Sequence, residues 1–397
     1  MNLVFGIDGL KPPLTGIGVY SFNLCKEFIR CENINISALS RFKLLDQNQL
    51  ELLLSELTAK DSDDSGLGAS NRDKNNFLKS YVKDSDFIRY LYHKSAQYAA
   101  NLNLQNMDSH TIYHTPNFIG YGGCQKKVIT VHDLSHLEHP EMHPKSRVRF
   151  LNSWLEKSIE EASQVIVDTE FIKQQLLESR VLDRQSESKV SAIHLGVSDD
   201  YQPGKKDDDL ARLNVFGLIE NQYLLSVGTL EPRKNYETLV RAYLKLPKSL
   251  AAEYPLVLCG VKGWKYDSLI ALINSVRPPY RVVLTGHISK SLMIALLRNS
   301  SVFVYPSIYE GFGLPILEAM KCGVPVITSD FGAMKEVAGD AAFLVDSYSA
   351  DAIAEGLLAV LDSSKLKSML ISRGIVWSNG FTWQQCAKET LDVYERI

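Results

Sequence analysis

Short runs rich in apolar residues alternate with amphipathic stretches along most of the chain. Leu3–Asp8, Ile34–Leu39, Ile112–Thr115, Lys127–Val131, Gln164–Asp168 and Lys189–His194 have the look of strands buried on both faces. Helical patterns separate them. Gly18 to about Arg30 carries Val19, Phe22, Leu24 and Phe28, and Gln47–Leu57, Phe87–Leu102, Lys145–Ala162 and Thr169–Val181 follow. The second half repeats the alternation. Tyr223–Val227, Leu256–Cys259, Val282–Thr285, Val302–Tyr305 and Val326–Thr328 read as strands. Tyr236–Leu246, a short helix after Gly313, Ser349–Leu361 and Trp383–Ile397 read as helices. Strand followed by helix, repeated, predicts an α/β fold with parallel sheets.

Three interruptions divide the pattern. Residues 59–76 (AKDSDDSGLGASNRDKNN) hold one buriable side chain, Leu67, and read as a mobile loop or insertion. Ser198–Asp209 (SDDYQPGKKDDD) is rich in Pro, Gly and charge, and reads as the linker between two domains. Gly380 breaks the pattern before the last helix. The expected units are 1–198, 199–378 and a terminal helix segment, 379–397.

With 397 residues, 45% of them hydrophobic, the chain can bury two cores. A net charge of −3 gives no global attraction to nucleic acid or anionic membrane. The six cysteines are scattered without a CxxC pair, as reduced, packed thiols are. No apolar run approaches the ~20 residues of a spanning helix. The start, MNLVFGIDG, lacks the basic and long apolar regions of a signal peptide, so a cytoplasmic location is expected.

Candidate chemistry gathers at strand ends. In FVYPSIYEGFGLPILEAMKCGVPVITSD, a strand stops at Pro306. A loop with Gly311 and Gly313 then feeds a helix with Leu314 and Pro315 in its first turn. Free N–H groups and the helix dipole there favour an anion. Two carboxylates, Glu310 and Glu318, frame the same place and would repel phosphate unless they accept from sugar hydroxyls. A ligand carrying both phosphate and sugar resolves that tension. Gly228-Thr229-Leu-Glu-Pro-Arg233-Lys234 follows another strand, and two adjacent cations at a strand's carboxyl end suit a diphosphate. Gly260–Gly263 and Gly286-His287 lie at the same rim. His132-Asp133 lies at a strand end in the first half.

Other signals are weaker. Gly16-Ile-Gly18 lacks the third glycine and the distant acid of a dinucleotide site, so a simple strand-to-helix turn competes with a phosphate loop. Asp61-Ser-Asp63 and Asp84-Ser-Asp86 match a metal-holding DxD pattern, but one lies in the loop and the other suits a helix cap. His132, His136, His139 and His143 are interrupted by prolines and would not share a face. Lys145, Arg147, Arg149 and Lys157 accompany Phe150, Leu151, Trp154 and Leu155. That face suits an anionic or lipid-linked partner, or simply water.

GTLEPRKN, PSIYEGFGLPILEAMKCGVPVITSD and EVAGDAAFLVD, in this order, resemble the donor-binding half of retaining GT-B glycosyltransferases, specifically the mannosyltransferase-like glycosyltransferase family four. TGIGVYSFNL, TVHDLSH and AIHLGV resemble that family's first half, so the likeness covers nearly the whole chain. It implies two facing Rossmann-like domains, an acceptor-binding first one and a second one for a nucleoside diphosphate sugar. It implies a last helix packing back on the first domain. Glu318 would accept from the ribose, and Arg233 and Lys234 would neutralise the diphosphate. Glu310, with Phe312, Gly313 and Leu314, would hold the sugar and phosphate end. His132 would sit by the transferring sugar, with the Gly16–Gly18 loop near the diphosphate, and Gly228 and Thr229 would line the donor site. Many relatives carry Arg where this chain has Thr229, which shifts the burden onto Arg233 and Lys234.

The implied activity is metal- and cofactor-independent transfer of a hexose with retention. Mannose from GDP-mannose is the expected donor, and a glycan or lipid-linked precursor of surface polysaccharide the acceptor. A UDP-sugar donor and a non-catalytic sugar-nucleotide-binding partner are the alternatives. A dehydrogenase would need the fuller GxGxxG, and a phosphorylase a lysine-bound pyridoxal phosphate.

Overall fold

The computed structural model describes the chain apart from residues 13, 41, 63–85, 106, 121–124, 180, 183 and 205–207. Two compact units emerge. The first holds the chain up to Leu195 together with Trp383–Ile397, and the second is Gly196–Thr382.

The first unit is built on seven strands: β1 (Asn2–Gly6), β2 (Asn35–Ser40), β3 (Lys43–Leu45), β4 (Ile112–Thr115), β5 (Lys126–Val131), β6 (Gln164–Val167) and β7 (Val190–Ala192). Their order across the sheet is β3-β2-β1-β4-β5-β6-β7. All neighbours pair in parallel except β2 and β3, which are antiparallel at one edge. The central strands β4 and β5 are buried almost throughout, as strands inside a parallel sheet covered on both faces are. The last helix, Trp383–Tyr394, packs on Gly16–Ile29. Phe28 and Tyr394 meet at 5.9 Å between ring centroids, and Tyr20 and Trp383 at 6.4 Å. A buried polar chain runs beneath them. Tyr394 Oη bonds His114 Nδ1 at 2.5 Å, His114 Nε2 meets Thr130 Oγ1 at 2.8 Å, and Tyr20 Oη meets the same hydroxyl at 3.1 Å. Burial pushes His114 down to about 3, so it serves the chain as a neutral ring.

The second unit has six parallel strands: β8 (Leu224–Val227), β9 (Leu256–Cys259), β10 (Val282–Gly286), β11 (Val302–Tyr305), β12 (Val326–Ser329) and β13 (Phe343–Val345). Their order is β10-β9-β8-β11-β12-β13. The winding direction reverses between β8 and β11, paired through Val302–Leu224 and Phe303–Leu225. Crevices at such reversals, beyond the carboxyl ends of the strands, are where open α/β sheets take ligands. The core of this unit lies under Tyr236–Tyr243 and Ala350–Asp362, with Leu239, Val240, Ile353 and Leu357 fully buried.

Several expectations change. Gly16 and Gly18 are not in a loop: the first helix is Gly16–Ile29, with Thr15 at its N-cap. Gly18 is needed for packing, since a Cβ there would stand 2.8 Å from the Gly9 carbonyl oxygen, whereas one on Gly16 would meet nothing within 4 Å. The segment expected as a loop over 59–76 begins as helix, because Gln47–Ser62 runs on through it, and the rest lies outside the described residues. That also removes Asp63 and Asp84 of the two DxD matches. In the segment Ser198–Asp209, read as a linker, Asp199, Asp200, Gln202, Pro203, Gly204 and Asp208 are exposed, while Tyr201 is buried and Asp209 opens a helix, Asp209–Asn214. Helices Asp267–Ser275, Lys290–Arg298 and Ser364–Ser378 went unread in the pattern.

Candidate active site

Two glycine turns set the floor of the site in the second unit. Gly228 follows β8 and Gly260 follows β9, and a Cβ on Gly260 would lie 1.9 Å from the Gly228 carbonyl oxygen. The chain then makes a single 3-10 turn, Pro232–Lys234, closed by Asn235 in the left-handed region at φ 60°. Asn235 Nδ2 donates to the carbonyls of Pro306 at 3.1 Å and Ser347 at 2.6 Å, which pins that turn to the loops after β11 and β13. Ile308 N–H donates to the Arg233 carbonyl at 2.8 Å. These bonds bring Arg233 and Lys234 against the loop that carries Glu310.

The result is a quartet in which Glu231, Lys234 and Glu310 are buried and Arg233 is half-buried. Arg233 Nε lies 2.5 Å from Glu231 Oε1, and its Nη1 donates to Glu310 Oε2. Lys234 Nζ lies 2.6 Å from Glu310 Oε1 and donates to the Tyr305 hydroxyl at 2.6 Å. The Tyr305 hydroxyl in turn donates to Glu310 Oε1 at 3.1 Å. Two cations and two carboxylates make the cluster formally neutral. Burial alone would push Glu310 up, but the Arg233 and Lys234 charges outweigh it and hold Glu310 below the usual carboxylate range. Burial and Arg233 push Lys234 down, against Glu310 holding it up. Arg233 and Lys234 are thus placed together as expected, but their charge is already matched by Glu231 and Glu310. Thr229, where a further cation could stand, is half-buried.

Beyond Glu310 the loop ends at Gly313, whose φ of 102° is open to glycine and strained for other residues, and the helix Leu314–Lys321 starts with Pro315 in its first turn. Phe312 is buried edge-on to Phe381 at 6.2 Å. Glu318 is half-buried one turn into the helix, bonded to the Tyr201 hydroxyl. Desolvation pushes it up to about 7, although the Tyr201 bond and the Lys290 charge pull the other way.

In the first unit, His132 follows β5 and Asp168 follows β6. His132 Nδ1 lies 2.8 Å from Asp168 Oδ2, and Nε2 lies 2.9 Å from the Pro116 carbonyl oxygen. The edge of Tyr20 packs on the ring at 4.9 Å. Asp133 instead accepts from the Ser135 N–H and hydroxyl, at 3.0 and 2.6 Å. His136 stacks on Phe118 at 5.6 Å, and burial pushes it down to about 4. Among the described residues no group of three or more potential ligands could hold a metal. In the helix Lys145–Glu161, Leu155, Ser158 and Ile159 are buried and Lys145, Arg147, Arg149 and Lys157 are exposed.

Four contributors escaped the sequence. Glu231 sits inside GTLEPRKN, and Asp168 ends a strand beside that of His132, so both had a positional signal. Tyr305 and Tyr201 had none: one reads as strand core, the other as linker.

Residues 217–377 match the family model described as glycosyl transferases group 1. The O-antigen chain mannosyltransferase B of Escherichia coli is 32% identical over 398 residues, covering all of both chains. A serotype-specific mannosyltransferase, WbdA, also of Escherichia coli, is 25% identical across 82% of this chain and 42% of its own length. Among solved structures, Anabaena HepE in complex with UDP and glucose superposes with a TM-score of 0.68 at 16% identity, covering all of both chains.

Proposed function

The chain belongs to the glycosyl transferases group 1 family, and from that premise we propose that it is a retaining mannosyltransferase. Its donor in this reading is GDP-mannose, and its acceptor a growing surface polysaccharide such as O-antigen, or a lipid-linked precursor of it. The mannosyl assignment is supported by the full-length similarity to the O-antigen chain mannosyltransferase B. The second unit takes the donor, and the first the acceptor. No described helix is long and apolar enough to cross a membrane. We assign contact with a lipid-linked acceptor to the basic face of Lys145–Glu161.

One observation carries the donor reading: the Arg233–Glu310–Lys234 cluster lies at the reversal point of the second sheet, beside the start of a helix. In the proposed reaction the bond between the sugar's anomeric carbon and the phosphate oxygen breaks, and its electron pair leaves with the diphosphate. The acceptor hydroxyl oxygen bonds to the same carbon from the same face, and its proton passes to the departing phosphate. Fixed cations and helix N–H groups stabilise the leaving charge without a metal. Arg233 and Lys234 move their charge onto the diphosphate as Glu310 turns to the sugar hydroxyls. Glu318 accepts from the ribose. His132, with both ring nitrogens bonded, acts through charge and not as a base.

The test is a panel of GDP- and UDP-sugars with an acceptor extract, reading nucleoside diphosphate release. Release with GDP-mannose, persisting in chelator and giving an α-linked product, is expected. No release with any donor would sink the transferase reading; an inverted product would sink retention.

A further inference from the structure

Residues 199–203 have the composition of a solvated linker, yet successive residues are tied to the helix that carries Glu318, to the turn that ends it and to the neighbouring helix Lys290–Arg298. Asp199 Oδ1 accepts from the buried Lys321 at 2.7 Å, and Asp200 Oδ2 accepts from Lys290 at 2.7 Å. The backbone of Gln202 bonds the Cys322 thiol. Pro203 packs so closely on Gly323 that a Cβ there would be 3.3 Å from its ring. Between these anchors Tyr201 is only 7% exposed, and its hydroxyl is spent on the Glu318 carboxyl.

Packing alone does not need that hydroxyl. Phenylalanine would fill the same space, and a buried O–H costs free energy unless it is bonded. A carboxylate that grips two vicinal hydroxyls must present both oxygens in a fixed plane, and a bond from a buried phenol fixes that plane. We propose that Tyr201 is a positioning residue for the donor, orienting the Glu318 carboxylate to accept from the vicinal hydroxyls of the nucleotide ribose. The inference rests on the ribose role given to Glu318 above and adds the group that makes Glu318 competent.

The surroundings make the role measurable. A protonated carboxyl cannot accept from two hydroxyls as a carboxylate does, and burial pushes Glu318 up to about 7. Tyr201 faces it, with the Asp200 charge beside Tyr201, and Lys290 faces it from the start of Lys290–Arg298. Cys322 lies one turn on, with Arg298 and Asp209 behind it. Of these, the Tyr201 bond and the Lys290 charge favour the ionised form.

The experiment is the affinity of the intact protein for GDP, UDP and their 2′,3′-dideoxy forms between pH 6 and 9. Wild type, Tyr201→Phe and Glu318→Gln are compared, and the free proteins' Glu318 carboxyl is followed by carbon-13 NMR. Wild-type affinity should fall as the pH drops below about 7. Tyr201→Phe should move that limb to higher pH, weakening binding about fivefold at pH 7 for the first unit moved. It should approach wild type at pH 9 and leave kcat at saturating donor unchanged. Coincident limbs, with an unmoved carboxyl titration, would overturn the role of Tyr201. A different result separates the underlying reading: if Glu318→Gln binds like wild type and the dideoxy forms bind as well as the ribose forms, Glu318 is not the ribose ligand.

Discussion

The half-buried imidazole of His132 and the buried carboxylate of Asp168 form a pair, Nδ1 to Oδ2 at 2.8 Å, and the other ring nitrogen faces the Pro116 carbonyl at 2.9 Å. A carbonyl and a carboxylate can only accept. Both ring nitrogens are therefore placed to donate, an arrangement that favours the protonated ring at the end of β5. Burial alone would push His132 down, but the Asp168 charge and bond, the Pro116 carbonyl and Asp133 outweigh it, and the net displacement is upward.

Asp168→Asn should therefore discharge His132. The pair's contribution to stability is fully present below the ordinary imidazole value of ~6.5 and is lost as the pH rises through the raised folded value. Thermal melts of wild type and variant should differ most at the acid end of that window, by about 1.5–3 kcal/mol for one charged hydrogen bond, and converge above it. Nitrogen-15 spectra should show two N–H groups on His132 above pH 7 in wild type and one in the variant. A wild-type ring titrating at the ordinary value would sink the assignment of a favoured protonated ring.

The strands were legible because burial on both faces leaves no polar alternation: Val302–Tyr305 and Leu256–Cys259 begin and end where the apolar runs do. Ser364–Ser378 was not, since its apolar positions follow no clean stripe and Gly374 breaks them; that glycine is there to let Met320 approach. Chemistry at single positions could be read, as with Glu310 and Lys234. Pairings could not. His132 meets Asp168 across 36 residues only because β5 and β6 are neighbours, and Arg233 meets Glu310 across 77 only because β8 lies beside β11. Tyr201 was masked by acidic and Gly-Pro neighbours, whose ion pairs to Lys290 and Lys321 appear only in three dimensions.

Glu310→Gln tests the quartet. It strips Arg233 and Lys234 of a shared counter-charge, and breaking a buried pair costs about 3–5 kcal/mol. Because Glu310 is held below its ordinary value, its contribution is present above ~4.3 and is lost as the pH falls through the lower folded value. Denaturant titrations should show a large gap at pH 7 that closes toward acid. Turnover should fall by about 10²–10³ if the carboxylate also reads the sugar. Full turnover in a folded variant would confine Glu310 to a structural role.

Neutrality of the quartet implies that an added cation should be felt. Thr229→Arg places a guanidinium beside Gly228 at the carboxyl end of β8. One charge-assisted bond to a diphosphate is worth about 1.5–3 kcal/mol, or roughly ten- to hundredfold in affinity. Calorimetry with GDP should register that gain, with product release slowed to match. Unchanged affinity would mean that the diphosphate does not lie within reach of position 229.

The glycines separate backbone necessity from mere presence. A methyl group on Gly260 would overlap the Gly228 carbonyl oxygen at 1.9 Å, and that neighbour is backbone, unable to rotate away. Gly260→Ala must therefore force the turns after β8 and β9 apart, costing at least the ~1–3 kcal/mol of an overpacked core. It should also spread Arg233 from Glu310, so nucleotide affinity should fall together with the melting temperature. Gly16→Ala is the contrast. It stands in the first turn of a helix with open space around its Cβ, and alanine there should gain up to ~1 kcal/mol. If Gly16→Ala is folded and stabilised but loses turnover, the substrate itself must approach that backbone; unchanged turnover would leave Gly16 with no part in binding.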